Sequence, residues 1–173
     1  RIIALSRSLK PYKYLENGQL KEKALSPERA QLLVALVESG INLEEVKKKS
    51  IFDYADLQKI DLNKKDLSNI SLNKAFLQGA DLQNINFTNA SLFETDFSRA
   101  NLADAILNKV YLASGDLTKA ILNNSNLKLA VLKNASLKNT FLIGANLENV
   151  NLKNANLDNA IVIGCRVRGC KVR

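Results

Sequence analysis

An apolar residue recurs at every fifth position from Phe52 to Val172, without one insertion or deletion. This residue, the centre of each pentad, is Leu at nineteen of twenty-five positions and Phe or Val at the others. Two places before it lies a small slot, most often Ala. Directly before it lies the leading residue, which is Asp, Asn or Ser in fifteen pentads. The first and second turn residues, which follow the centre, are mostly polar.

A repeat of five residues predicts a solenoid rather than helices or flat strands. An α-helix returns side chains to one face every 3.6 residues, and a β-strand does so every second residue. A period of five fits a chain that turns a corner after each short extended segment, with the centre and the small slot pointing inward. Successive circuits then pair backbone to backbone about 4.8 Å apart. We expect all centres to lie inside, including Val162, Val167 and Val172, and to leave no cavity for a cofactor.

Two short helices are predicted before the repeat. Ser26 suits an N-cap, Pro27 suits the first helical position, and Gly40 suits a helix stop. The apolar spacing predicts a helix over about residues 27–39 and a shorter one over about 43–48. A stack of repeats has an open apolar end that needs a cover, and we interpret these helices as that cap.

Two other N-terminal features each admit two interpretations. The dipeptide Asn17-Gly18 lies between short apolar segments and favours a β-hairpin, but a surface loop fits it equally well. The triplet Lys47-Lys48-Lys49 closes the second predicted helix. There a solvated helix end, with cations at the negative end of the dipole, is favoured over contact with phosphate.

The repeated motif Ala-(Asp/Asn)-Leu resembles that of the pentapeptide-repeat family, as in Ala80-Asp81-Leu82 and Ala145-Asn146-Leu147. The resemblance covers residues 50–173. It implies a β-solenoid of one kind, a right-handed quadrilateral β-helix with four pentads per coil, and therefore about six coils here. We divide the chain into residues 1–49, an N-terminal segment with a helical cap, and residues 50–173, the pentapeptide-repeat β-helix.

Three residues in the small slot are unusual. Lys65 would place an ammonium inside at a high cost in free energy, so we expect the coil to widen locally and the side chain to reach solvent. Cys165 and Cys170 are small enough to pack inward. Inward packing is favoured for both over a redox or metal role.

The net charge is uneven along the chain. The whole sequence carries +8. Residues 51–121 hold seven basic and nine acidic residues, a net charge of −2, whereas residues 122–173 hold eight and two, a net charge of +6. A basic chain suggests nucleic acid or an anionic surface as a partner, but an ordinary basic protein is the favoured interpretation.

The sequence contains no recognisable constellation for catalysis or metal binding. Histidine, the commonest general base and metal ligand, is absent, and no nucleotide-binding or nucleophile motif is present. We therefore predict no catalytic, cofactor-binding or metal-binding residue and no enzymatic activity. With no signal peptide and no complete transmembrane helix, a cytoplasmic or membrane-associated location is favoured, the latter through sequence upstream of Arg1.

Residues twenty apart are expected to stack on the outer surface, where two groups emerge. The candidate interface is an apolar group, because a contiguous apolar patch usually marks a contact surface; coverage by another part of the chain is the alternative. Its members are Ile121, Phe141, Ile143, Ile161 and Ile163. The candidate basic patch consists of Lys128, Lys133, Lys153, Arg168 and Arg173. A solvated face is favoured over phosphate binding for the patch, since no aromatic residues interleave for base stacking.

Three functional hypotheses follow. The leading one is a non-enzymatic rigid scaffold for an unidentified protein partner, with a homodimer through the apolar group as one form. The resemblance implies a second, a DNA mimic that modulates a type II topoisomerase. It is disfavoured because the repeats carry a net charge of +4. The third is a membrane-associated or nucleic-acid-binding protein, and nucleic acid is the less favoured of those two partners.

Overall fold

The computed structural model describes residues 8–13, 15–16, 19–20, 24–39, 43–49 and 52–172. Strands β1 (Leu15–Glu16) and β2 (Gln19–Leu20) pair antiparallel in the register of a two-residue hairpin. This pairing supports the hairpin over the surface loop. Asn17 and Gly18 themselves lie outside the described residues.

Two helices, α1 (Pro27–Glu38) and α2 (Glu44–Lys49), precede the repeat. The Ser26 hydroxyl accepts the Arg29 N–H at 3.4 Å, as expected of an N-cap. The expected stop, Gly40, lies outside the described residues. Within the part of the chain that the structure describes, no helix is both long and apolar enough to cross a bilayer.

Helix α1 starts directly on the repeat. Ser26 forms a parallel bridge with Ala55, and its N–H donates to the Tyr54 carbonyl at 2.8 Å. Leu33 and Leu36 of α1 are buried in the same hydrophobic cluster as the centres of the repeat. The helix therefore shares its core with the first circuit.

The repeat is a β-solenoid, as predicted. Its leading residues form isolated parallel bridges at a spacing of twenty residues, for example Asp61 with Asp81 and Asn101 with Ile121. Twenty residues are four pentads, so each bridge marks one full circuit. The bridges stay single because the chain turns after every centre and leaves no room for a longer strand.

All described corners of the solenoid except that of Val162–Cys165 are closed by the same four-residue turn bond. The small-slot N–H donates to the preceding centre, as Ala55 does to the Phe52 carbonyl at 3.2 Å. The second turn residue has a positive φ in every pentad from Tyr54 to Gly169, which is the geometry of a type II turn. Asn and Gly tolerate this backbone region and β-branched residues do not. No Val, Ile or Thr occupies the position in these pentads.

Backbone hydrogen bonds join each pentad to the circuits on either side. The N–H of the centre Leu57 donates to the Phe76 carbonyl at 2.8 Å, and the Phe76 N–H donates to the Ala55 carbonyl at 2.9 Å. The N–H of the second turn residue Lys59 donates to the Gln78 carbonyl at 2.9 Å. These bonds recur along the stack, and together with the turn bond they engage four of the five N–H groups of a pentad.

The fifth N–H, that of the first turn residue, explains the Asp and Asn of the leading position. In eleven pentads the leading side chain accepts this N–H, as Asp61 does from Asn63 and Asn146 does from Glu148, both at 3.0 Å. A short side chain that bonds the N–H two residues on forms an Asx turn. The repeated carboxylates and amides are therefore parts of the scaffold.

The centres fill the interior except at the C-terminal end of the stack. From Phe52 to Leu147 every centre is at most 2% exposed. The last three centres are instead half exposed, so the prediction that they lie inside is wrong: Val162 at 43%, Val167 at 54% and Val172 at 60%. Each centre is covered by the next circuit, and no described circuit lies beyond these three.

Candidate functional site

The five predicted interface residues lie on one face of the solenoid. Ile121 is bridged to Phe141, and Phe141 to Ile161, so the three leading side chains form a row. They are 36%, 39% and 37% exposed. Ile143 and Ile163, in the first turn position beside them, are 41% and 62% exposed. We call these five residues the apolar column.

The fold does not require apolar residues in the column. On the same face, Asp61, Asp81 and Asn101 accept the N–H of their own first turn residues. Phe141 lacks an acceptor, so the Ile143 N–H is bonded instead by the Asn123 side chain, one circuit earlier, at 3.1 Å. In the column, exposed apolar residues thus replace the polar residues that the fold favours. The N–H of the Ile143 turn is then bonded by a side chain of another pentad.

The structure divides the candidate basic patch. Lys133 and Lys153 are exposed in one column, twenty residues apart. Lys128 is exposed on the neighbouring face, where its ammonium lies 3.1 Å from a carboxylate oxygen of Glu148. Arg168 is exposed in that second column, and Arg173 lies outside the described residues. The interpretation of this patch as a solvated face, favoured over phosphate binding, stays a prediction.

The unusual small-slot residues lie at the two ends of the stack. Lys65 is exposed and lines a cavity of about 300 Å³ beside Val37 and Glu38 of α1. The Asn86 N–H still bonds the Lys65 carbonyl at 3.0 Å, so the register of the coil is kept.

The two thiols are hydrogen-bond donors inside the stack. Cys165 and Cys170 donate to the carbonyls of Leu142 and Leu147, each at 2.7 Å. The hydroxyls of Thr95 and Thr140 make the corresponding bond from the same slot. Burial raises the pKa of both thiols, which favours the protonated, unreactive form at neutral pH.

Lys47 is a buried anchor that the sequence interpretation missed. It is 3% exposed, and its ammonium lies 2.9 Å from Glu44 and 3.3 Å from Asp66. The interpretation of this residue as part of a solvated helix end is therefore wrong. The signal was its spacing: Lys47 follows Leu43 by four residues and so shares the face of α2 that packs on the core.

A second surface group, missed as well, lies at one corner of the N-terminal circuits. We call Tyr54, Phe76, Phe93 and Tyr111 the aromatic corner; Tyr111 is its most exposed member at 46%, and Phe76 is buried beneath the surface. Phe93 and Tyr111 stack with ring centroids 6.1 Å apart. Cavities of about 370 and 530 Å³, both lined by Tyr54 and Lys74, lie along this corner. Its members occupy three different pentad positions, so no single column of the sequence reveals it.

Lys74 is held in the middle of the aromatic corner. Its ammonium lies 5.6 Å from the Tyr54 ring centroid and 3.6 Å from a Glu94 carboxylate oxygen. Tyr54 first, and then Glu94, raise the pKa of Lys74 above its ordinary value. The corner is thus able to hold a cation between a ring and a carboxylate.

The sequence matches a known family of repeats. The family model described as pentapeptide repeats matches in eight copies, over residues 50–89, 71–109, 116–149 and 137–173. Together these segments cover about two thirds of the chain. No curated protein sequence matches significantly.

Several solved structures align with part of the chain. A pentapeptide repeat protein from the thylakoid lumen of Arabidopsis thaliana is 27% identical, with a TM-score of 0.46 over 57% of this chain and 69% of its own. The pentapeptide repeat protein Rfr23 from the cyanobacterium Cyanothece 51142 is 21% identical, with a TM-score of 0.32 over 68% and 88%. QnrB1, a plasmid-mediated fluoroquinolone resistance protein, is 14% identical, with a TM-score of 0.46 over 66% and 73%.

Proposed function

Because this chain belongs to the pentapeptide-repeat family, we propose that it is a non-enzymatic rigid scaffold whose apolar column binds a protein partner. Members of the family are in general non-enzymatic repeat proteins. The observation that carries the proposal is the column itself, five exposed apolar side chains on a fold that has no structural need of them. Clustered exposed apolar residues usually mark an interface.

The scaffold we propose is a right-handed, four-sided β-helix of about six coils, closed at its N-terminal end by α1 and α2. The spacing of the bridges supports four pentads per coil, and the hand follows from family membership. Two contacts support the cap. Ser26 bridges to Ala55, and Lys47 of α2 bonds Asp66 and Ser68 of the first circuit.

The use of the polar side chains supports a non-enzymatic role. The Asp and Asn residues of the leading position hold backbone N–H groups, and the two thiols bond backbone carbonyls. These bonds give the leading Asp and Asn residues and the two thiols a structural role in the repeat. The residues that distinguish this chain from a regular repeat lie instead in its outer columns.

The charges beside the apolar column distinguish two kinds of partner. Lys119, Lys138 and Asp158 precede the column along the chain and Arg166 follows it; all four are exposed and their net charge is positive. In a two-fold homodimer through the column two surroundings of the same net positive charge approach each other, so self-association should strengthen as salt screens them. A different partner with acidic groups around an apolar centre should bind more weakly as salt rises.

The test is the variant Phe141→Asp, with Ile106→Asp as its matched control. Ile106 is a leading residue with a similar exposure of 40%, but it lies on the neighbouring face. Asp is the residue that the fold uses at this position, so both variants should keep the melting temperature of the wild type. We expect Phe141→Asp to weaken the assembly at least tenfold, since buried aromatics dominate interfaces, and Ile106→Asp to change it less than twofold.

Sedimentation velocity of the purified chain at low and high salt measures its self-association. The same measurement on complexes isolated from the source cells detects association with a different protein. Salt-strengthened self-association lost in Phe141→Asp identifies a homodimer. Salt-weakened hetero-association lost in the same variant identifies an acidic partner. A wild-type chain that is monomeric, together with complexes unchanged by Phe141→Asp, refutes the proposal.

A further inference from the structure

We propose that one side of the C-terminal circuits, which we call the basic side, binds the surface of an anionic lipid membrane. The basic side consists of four stacked blocks of the repeat, residues 106–115, 126–135, 146–155 and 166–172. The apolar column lies in the other half of each circuit. The membrane contact is independent of the scaffold function proposed above, since it uses none of the column residues and has its own test.

The bridges place the four blocks above one another. A circuit has four pentads, so two neighbouring pentads form half of it, and blocks that begin twenty residues apart lie on the same side. Two rows of leading residues show this directly, each joined by parallel bridges from circuit to circuit. They are Ile106, Asn126, Asn146 and Arg166, and Tyr111, Val131, Asn151 and Lys171.

Positive charge is concentrated on the basic side. Its blocks hold seven basic residues and one acidic residue, a net charge of +6. The other half of the same circuits, residues 96–105, 116–125, 136–145 and 156–165, holds three and four, a net charge of −1. All seven cations are exposed: Lys109, Lys128, Lys133, Lys153, Arg166, Arg168 and Lys171. They include every described member of the candidate basic patch, which we thereby place against lipid rather than in solvent.

Exposed apolar side chains lie among these cations. Leu129, Tyr111 and Ile106 are 43%, 46% and 40% exposed. Leu129 directly follows Lys128, and the Lys109 N–H donates to the Lys128 carbonyl one circuit on, at 3.0 Å, so the backbones of both lysines border it. The φ of 64° at Leu129 is unfavourable for leucine, and its side chain gains little from burial. A strained residue that the fold does not need indicates a functional role.

A membrane surface accounts for this combination better than other polyanions do. The cations extend over about 14 Å of the stack at the usual spacing of the circuits, which fits an extended anionic surface rather than one phosphate. Clusters of about four to eight Lys and Arg residues are characteristic of binding to anionic lipids. Leucine and tyrosine beside them enter the boundary between head groups and acyl chains, whereas the phosphates of nucleic acid offer no contact to leucine.

The first test measures the contribution of charge. The purified chain should float with vesicles of phosphatidylcholine and phosphatidylserine, more weakly as salt rises, and should bind vesicles of phosphatidylcholine alone at least tenfold more weakly. Lys109→Gln with Lys133→Gln should weaken binding to the mixed vesicles at least tenfold, since each cation near an anionic membrane strengthens binding about fivefold.

The matched control is Lys59→Gln with Arg99→Gln. Both residues are exposed in the other half of the circuits, and the control removes the same charge. It should weaken binding to the mixed vesicles by no more than about twofold. Equal effects of the two double variants would mean that net charge alone attracts the chain, which overturns the proposal.

The second test measures the contribution of Leu129. Leu129→Asn places a residue that the fold uses at this position, so the chain stays folded, and vesicle binding should weaken at least threefold. Leu129→Met keeps an apolar side chain and should bind as the wild type does. Unchanged binding by Leu129→Asn overturns the proposal. Displacement of the chain from the vesicles by a DNA duplex at equal phosphate concentration also overturns it, and identifies nucleic acid as the occupant.

The absence of tryptophan from the sequence allows a direct measurement of depth. Leu129→Trp introduces a single tryptophan, whose emission should shift to shorter wavelength on the mixed vesicles and be quenched by brominated acyl chains. Lys59→Trp, in the other half of the circuits, should show neither change. If the emission of vesicle-bound Leu129→Trp stays that of a solvated side chain, this corner does not enter the lipid and the proposal is wrong.

Discussion

At the scale of single residues, the second turn position decides which side chains a corner of the solenoid accepts. It requires positive φ, which Asn and Gly adopt readily and other residues adopt at a cost in free energy. Leu129 holds this position with φ of 64° while its side chain is 43% exposed. The backbone strain at Leu129 is therefore not offset by burial of its side chain. Substitution of this residue is a direct way to stabilise the fold.

We expect Leu129→Asn to stabilise the fold by about 0.5–1 kcal/mol, since it relieves part of the strain of a left-handed non-glycine residue. In a chain of this size that corresponds to a rise in melting temperature of about 1–4 °C. Leu129→Val, with a β-branched side chain, should lower the melting temperature. Thermal unfolding by circular dichroism measures both, and equal temperatures for the two variants would contradict the explanation.

The residues that could be predicted are those whose place follows from counting pentads. Phe141 and its neighbours share a face because residues twenty apart stack, and this needs only the repeat length. The same counting failed for Val167, because it treats every circuit as covered by another. It also failed for the aromatic corner, whose members Phe76 and Phe93 lie in different pentad positions and line the two cavities on either side of Lys74.

At the scale of elements, the contact between α2 and the first circuit combines the apolar packing of Val46 with the polar contacts of one buried lysine. The Lys47 ammonium meets Glu44, Asp66 and Ser68. Burial by itself raises the pKa of the Asp66 carboxyl, but hydrogen bonds from Ser68 and the nearby Lys47 outweigh it, so the pKa lies below its ordinary value. The sequence alone does not show the pairing of Lys47 with Asp66, because the two residues lie in different elements that come together only when the chain folds.

The pairing should make part of the stability depend on pH. A carboxyl whose pKa is lowered by folding stabilises the protein fully above its unfolded pKa, here 3.8, and this stabilisation is lost as the pH falls through the lower folded value. Lys47→Gln should therefore be less stable than the wild type at pH 6, with a smaller difference at pH 2. Urea unfolding at the two pH values measures it. A difference that does not change with pH would mean that Lys47 acts by packing rather than through Asp66.

At the scale of the whole molecule, the repeat is a one-dimensional stack in which each circuit contacts its neighbours. The burial of a centre residue then depends on its position along the stack as much as on its residue type. Leu102 in the middle is 1% exposed, whereas Val167 in the last circuit, at the equivalent inward position, is 54% exposed.

This difference in burial should appear directly in the free energies of unfolding of two variants with a shortened side chain. Leu102→Ala should cost about 2–5 kcal/mol, as expected for a buried leucine that leaves a cavity. Val167→Ala should change stability by no more than about 0.5 kcal/mol, as expected for an exposed position. Chemical denaturation measures both. A cost for Val167→Ala close to that of Leu102→Ala would show that the end of the stack is covered in solution.

The twenty-residue spacing of the bridges also constrains how such a gene can change in length. Duplication of one pentad keeps every turn and every inward residue, so the product still folds, but it rotates all later residues by a quarter turn. A pentad duplicated between Ile121 and Phe141 would therefore move Phe141 to the neighbouring face and break their pairing. Duplication of four pentads lengthens the rod by about 4.8 Å and keeps every surface aligned. Insertions in multiples of five residues therefore preserve the fold. Only insertions in multiples of twenty residues also preserve the arrangement of side chains on the outer surface, and with it any binding site there.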